Sequence, residues 1–124
     1  MSTGPEVTIW FNPRCSTCQN VEELLAAHGV PAAYVHYLDT PPTRQEIERV
    51  LALLGTDDPR ALARMTEPLW VELDLQDADR EAVLDALALH PVLLQRPVVI
   101  RGDRAVVARP PELLLELLEP EQRR

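Results

Sequence analysis

The sequence predicts a small mixed α/β fold, and three observations carry that reading. Val7 to Phe11 is a short apolar, β-favouring run, followed by a helix-spaced stretch and a second β-favouring run, which together make a βαβ unit. The middle of the chain shows helical spacing only. Val98 to Ala108 then reads as two short strands around a Gly-Asp turn, before a last helix. At 124 residues and 46% hydrophobic, the chain is the size of one domain and can bury a core of its own. The expectation is therefore a single domain over 1–124, with a mixed four-stranded sheet flanked by helices and a helical insertion at about 43–90.

Each element has a local reason. Asn12-Pro13-Arg14 breaks the first strand, and from Cys15 the residues Cys18, Val21, Leu24, Leu25 and His28 recur at helical spacing. Gly29 stands where a helix C′ residue stops the helix. Ala32 to Tyr37 reads as the second strand, parallel to the first, with a right-handed crossover. After the Thr40-Pro-Pro loop, Thr43-Arg-Gln-Glu46 is a capping box, and its helix runs through Ile47, Val50, Leu51 and Leu54 to Gly55. Asp58-Pro59 opens another short helix, with Asp as N-cap and Pro at the first position. Pro68 divides it from Leu69–Leu73. Asp79 to His90 is amphipathic, with Val83, Leu84, Leu87 and Leu89 as its apolar positions, and Pro91 ends it. Pro110-Pro111 starts the last helix, which carries Leu113, Leu114, Leu117 and Leu118, and Glu119 to Arg124 is a polar tail.

Composition excludes several function classes. The formal net charge is −8, which repels phosphate backbones and argues against direct nucleic-acid binding. No apolar run approaches the roughly 18 residues that would span a bilayer. Met1 to Glu6 shows no basic segment leading into an apolar one, so a cytoplasmic address is the expectation, as a monomer. All twelve basic residues are Arg. Every cation is therefore a planar fork suited to oxyanions.

Cys15 and Cys18 are the chemistry-bearing pair. At i and i+3 they share one face of a first helical turn, where a strand gives way to a helix. Free amides there stabilise a thiolate, and Arg14 is a positive neighbour in sequence. Cys15, at the more exposed end, is the expected nucleophile, and Cys18, one turn deeper, the resolving thiol. A zinc site would need two further ligands, and His28, His36 and His90 are scattered, so no metal is expected. A Cys-x-x-Cys beside a βαβ unit is the signature of a thioredoxin-like redox domain.

Five further motifs follow in order. They are Asn12-Pro-Arg-Cys15, Tyr37-Leu-Asp-Thr-Pro-Pro-Thr43, Arg60-Ala-Leu-Ala-Arg64, His90-Pro-Val-Leu-Leu-Gln-Arg-Pro97 and Ala108-Arg-Pro-Pro-Glu112. Over about residues 6–118 the chain resembles the glutaredoxin-coupled arsenate reductase family. The resemblance implies a thioredoxin-type core with an inserted helical subdomain, and thiol-dependent reduction of arsenate to arsenite with no bound cofactor. Cys15 matches the nucleophile that attacks arsenic. Arg64, Arg96 and Arg109 match the three arginines that hold the oxyanion, and Pro97 matches a proline expected in cis. Asn12, Ser16 and Thr17 support the loop whose amides face the anion. The physical logic agrees, because a tetrahedral dianion needs several planar donors converging on one point. An ordinary Arg is a surface ion-pair partner, and that is the competing reading for each of these three.

Two positions depart from the resemblance. Phe11 stands where the family's usual enzymes carry a His that helps activate the thiol. Cys18 stands where they usually carry no cysteine and hand the adduct to glutathione. A second Cys permits an internal disulfide, suited to glutathione with glutaredoxin, to a mycothiol system or to thioredoxin. A sister branch, the Spx-type disulfide-stress regulators that bind RNA polymerase, also carries Cys-x-x-Cys but typically lacks the counterpart of Arg109-Pro110. A third reading is a general thiol–disulfide oxidoreductase.

Overall fold

The computed structural model describes residues 7–118. The segment Met1–Glu6 and the tail expected over Glu119–Arg124 lie outside them. Two compact units emerge: one holds the chain up to His36 and again from Arg96, and the other is Tyr37–Gln95.

The first unit is built on a mixed four-stranded sheet. Strand β1 (Val7–Phe11) leads into helix α1 (Ser16–Ala27) and strand β2 (Ala32–His36). β1 and β2 pair in parallel, from Val7 opposite Ala32 to Phe11 opposite His36. Parallel neighbours need a crossover, and α1 supplies it. Gly29 follows the helix at φ +66°, the left-handed conformation a C′ residue takes most cheaply when it has no Cβ. His28 does not extend the apolar face of α1. It lies past the last helical residue, exposed, with ring Nδ1 2.9 Å from the Leu24 carbonyl.

The chain returns to this sheet as a hairpin, β3 (Val98–Arg101) and β4 (Arg104–Val107). The two pair antiparallel around Gly102 at φ +61°. β3 also pairs antiparallel with β1, which gives the order β2-β1-β3-β4. The last helix begins as a 3-10 turn, Pro111–Leu114, and becomes helix proper at Leu115–Leu118. Arg101 and Arg104 donate to the carbonyls of Leu117 and Glu116, at 2.6 and 2.5 Å, and so tie the hairpin to the last helix. Val7, Ile9 and Phe11 alternate onto one face of the sheet, where they bury with Val21 and Leu25 of α1 and with Leu114 and Leu117. Cys15 and Cys18 belong to the same cluster.

The second unit is helical. Its elements are α2 (Arg44–Leu54), a 3-10 turn at Pro59–Leu62, α3 (Pro68–Glu72), α4 (Arg80–Leu89) and a second turn at Pro91–Leu93. The capping box expected at Thr43 and Glu46 is present with both hydrogen bonds, Asp58 caps its turn as expected, and Asp79 caps α4 by accepting the Ala82 amide. The buried positions of α4 are Val83, Leu84, Ala86 and Leu87. Leu89 is not on that face: at about 100° per residue it projects almost opposite Leu87, and it is 74% exposed. Arg60 lies 5.9 Å from the Trp70 ring and donates to the carbonyls of Leu75, Gln76 and Ala78, so it staples the segment after α3. Among the described residues no helix is long and apolar enough to cross a membrane.

Candidate active site

The dithiol sits where β1 hands over to α1. Asn12 shapes the handover: its carbonyl accepts the Cys15 amide at 3.0 Å, and its side-chain oxygen accepts the Arg14 amide at 3.0 Å. Gln19, one turn into α1, donates its side-chain amide to the Pro13 carbonyl at 2.7 Å and ties the loop to the helix. Cys15 is the N-cap of α1, with extended backbone. It keeps 8% of its surface exposed, whereas Cys18, one turn deeper, keeps none. Both are free thiols. Ser16 is exposed and Thr17 half-buried, at the first two helical positions.

Strand register brings two arginines to this sulfur. Val98 pairs with Val107, so the same register carried outward sets Pro97 opposite Ala108 and Arg96 opposite Arg109. The Ala108 amide donates to the Pro97 carbonyl at 3.0 Å, which continues the ladder. Trp10 pairs with Val98, so Arg96 also faces the loop that leaves β1. The result is a guanidinium on the thiol: Arg109 Nη1 lies 4.0 Å from Cys15 Sγ and donates to the Arg96 carbonyl at 3.0 Å. The Arg96–Pro97 peptide is cis, as the resemblance implied, and so is Arg109–Pro110.

Electrostatics separate the two thiols. Burial pushes Cys15 up, but the Cys18 backbone amide, the Arg96 guanidinium and the Cys18 thiol favour its thiolate and bring it down to about 7. The Cys18 amide acts here at longer range, since Cys15 takes no full cap hydrogen bond. Burial pushes Cys18 up to about 12, and the neighbouring Cys15 charge adds to the effect against the help of the Asn12 backbone. The pair is therefore built to hold one thiolate and one proton. Arg14, the cation suggested by sequence adjacency, has an exposed side chain, and the cations that meet the sulfur come from the far ends of the hairpin.

Residues 10–117 match the ArsC family. The chain belongs to that family. It is 41% identical over 110 residues to an arsenate reductase of Neisseria meningitidis, covering 87% of this chain and 94% of the relative. It is 34% identical over 120 residues to an arsenate reductase of Escherichia coli, covering 94% and 84%. An arsenate reductase structure from Vibrio cholerae superposes with a TM-score of 0.87 at 36% identity, covering 92% of this chain and 98% of that one. The thioredoxin-like sheet with flanking helices is thus the fold of the ArsC family.

The third arginine of the expected set, Arg64, belongs to the helical unit, where its guanidinium pairs with Glu67 and its amide donates to the Leu93 carbonyl at 2.7 Å. Phe11 is an apolar wall rather than a titratable one. It is buried in the cluster that holds both cysteines, with Tyr34 edge-on at 5.0 Å and His36 stacked at 5.8 Å. Gln19 has no role in the sequence pattern, and His36 enters it only as a metal ligand that is set aside. Gln19 carries no signal beyond its place one turn after Cys15, and the βαβ unit predicts parallel strands but not the register that pairs His36 with Phe11. Among the described residues no cluster of three or more His, Cys, Asp or Glu side chains could hold a metal ion.

Proposed function

We propose that this chain is a thiol-dependent enzyme that reduces arsenate to arsenite. The single observation that carries the reading is a guanidinium 4.0 Å from a thiol whose pKa is lowered to about 7, in a chain of the ArsC family. Similarity over nearly the full length to relatives named arsenate reductase supports the substrate.

In the proposed reaction, Cys15 thiolate attacks arsenic and forms an S–As bond, and an arsenate oxygen leaves as water after taking up protons. Arg96 and Arg109, with Arg64 as the third candidate donor, neutralise the charge on the remaining oxygens. Cys18 loses its proton and attacks the Cys15 sulfur. The S–As bond breaks with its electron pair left on arsenic, so As(V) becomes As(III) and the two sulfurs form a disulfide. Asn12, Ser16 and Thr17 hold the loop and present its amides, and Pro97 fixes the entry to β3. An external thiol then restores the dithiol, from glutathione with glutaredoxin, a mycothiol system or thioredoxin. The enzyme is read as a cytoplasmic monomer in which the helical insertion belongs to the same domain.

The test is arsenite formation from arsenate with each reductant system in turn. Turnover with at least one, lost in Cys15→Ser, is expected. No arsenite with any of them, from a protein whose dithiol is intact, would contradict the proposal.

A further inference from the structure

Arg109 faces two groups at once. Its Nη1 is 4.0 Å from the Cys15 sulfur and 3.0 Å from the Arg96 carbonyl. The charged and titratable groups around that sulfur are Cys18 from its own helix, Arg96 from the segment entering β3 and Arg109 from the segment leaving β4. In the reduced protein the thiolate and an incoming oxyanion therefore share the same cations. Two anions a few ångströms apart in a partly buried site repel strongly. Oxidation removes that repulsion: Cys15 thiolate and Cys18 thiol give up two electrons and the Cys18 proton, and an S–S bond forms with no charge. The oxidant is arsenate in turnover, or oxidised dithiothreitol in a test.

We infer that the state of the dithiol sets the oxyanion affinity of the Arg96–Arg109 pair, so that a tetrahedral dianion binds the disulfide form more tightly than the thiolate form. This rests on the oxyanion-site reading above and adds regulation to it. Linkage makes the effect reciprocal. An anion that prefers the disulfide form stabilises it against reductant, so an abundant non-reducible oxyanion brakes the cycle at re-reduction as well as competing with arsenate. A tenfold preference lowers the midpoint potential by about 30 mV for this two-electron couple at saturating anion.

Sulfate is the probe, because it stays a dianion across the working range. Its Kd is measured by calorimetry on the full chain, reduced and oxidised, at about pH 8, where the reduced Cys15 is a thiolate, with ionic strength held constant by chloride. Oxidised wild type and reduced Cys15→Ser are expected to bind sulfate about tenfold more tightly than reduced wild type. The midpoint potential in a dithiothreitol buffer should fall as sulfate rises. Equal affinities, or tighter binding to the reduced form, overturn the inference, and the proposed function stands if arsenate turnover persists. No sulfate binding to any form overturns both the oxyanion site and the inference.

Discussion

The two units use the same residue type for opposite ends. In the helical unit Arg44, Arg60 and Arg64 are matched to protein groups. Arg44 pairs with Glu48, Glu81 and Asp85, Arg60 caps three carbonyls over Trp70, and Arg64 pairs with Glu67. In the sheet unit the hairpin register carries Arg109 to a sulfur and sets Arg96 beside it. Composition treats all of these alike. What separates them is the sulfur: Arg44 and Arg64 face carboxylates and Arg60 faces carbonyls, whereas Arg109, beside one bond to the Arg96 carbonyl, faces a thiol that reacts with the substrate.

Substitutions should expose that difference, beginning with the sulfur itself. Cys15→Ser should abolish arsenate turnover while leaving thermal stability nearly unchanged below about pH 7, read by arsenite release and by a melting curve. Cys18→Ser should either stop the cycle or make it depend on an added monothiol, read by turnover with and without glutathione. Next come the two arginines at the sulfur. Arg96→Lys and Arg109→Lys should each lower kcat/KM by about 10²–10³-fold, since a point charge does not replace the fork. Arg64→Lys under the same assay decides whether a residue paired with Glu67 also serves substrate, and a loss of similar size places it with the site arginines. Arg60→Ala should reverse the pattern, costing about 1–3 kcal/mol in denaturant unfolding through the loss of its hydrogen bonds to three carbonyls, with alkylation of Cys15 unaffected. The smallest effect belongs to Arg44→Ala. Its exposed ion pairs should give a slight fall in Tm that high salt removes.

The two thiols give a second contrast within the sheet unit. Cys15 is held at about 7 and Cys18 at about 12. Native alkylation should modify Cys15 alone, with a rate that rises as pH passes through about 7 and levels off above it. The folded pKa of Cys15 lies below its ordinary 9.0, so its thiolate adds stability that is fully present above 9.0 and lost as pH falls through about 7. Cys18 works against stability at alkaline pH, because folding holds its proton on. Rapid modification of both cysteines in the native protein would break the contrast.

Much of this was legible in the sequence where the cause is local. The Thr43–Glu46 box, the Asp58 cap and the stop at Gly29 are set by residues within a turn of each other. The hairpin around Gly102 was legible too, and its register contains the site: it alone sets Arg96 opposite Arg109. The sequence misled where adjacency stood in for geometry. Arg14 is next to Cys15 in the chain, yet the cations at the sulfur arrive from the hairpin. Leu89 and His28 are apolar or half-apolar residues near helix ends, and neither packs on its helix's buried face. Phe11 shows only as an absent His in the sequence. In the fold it is a buried ring against Tyr34 and His36 that helps dry the dithiol's surroundings.

The most direct test of the central claim is a single turnover without reductant. Fully reduced protein is mixed with arsenate, and its intact mass and the arsenic species are read together. The account predicts a loss of two hydrogens' mass, a Cys15–Cys18 disulfide and one equivalent of arsenite. An unchanged mass and unreduced arsenate, from a dithiol that a mild oxidant still closes, would contradict it.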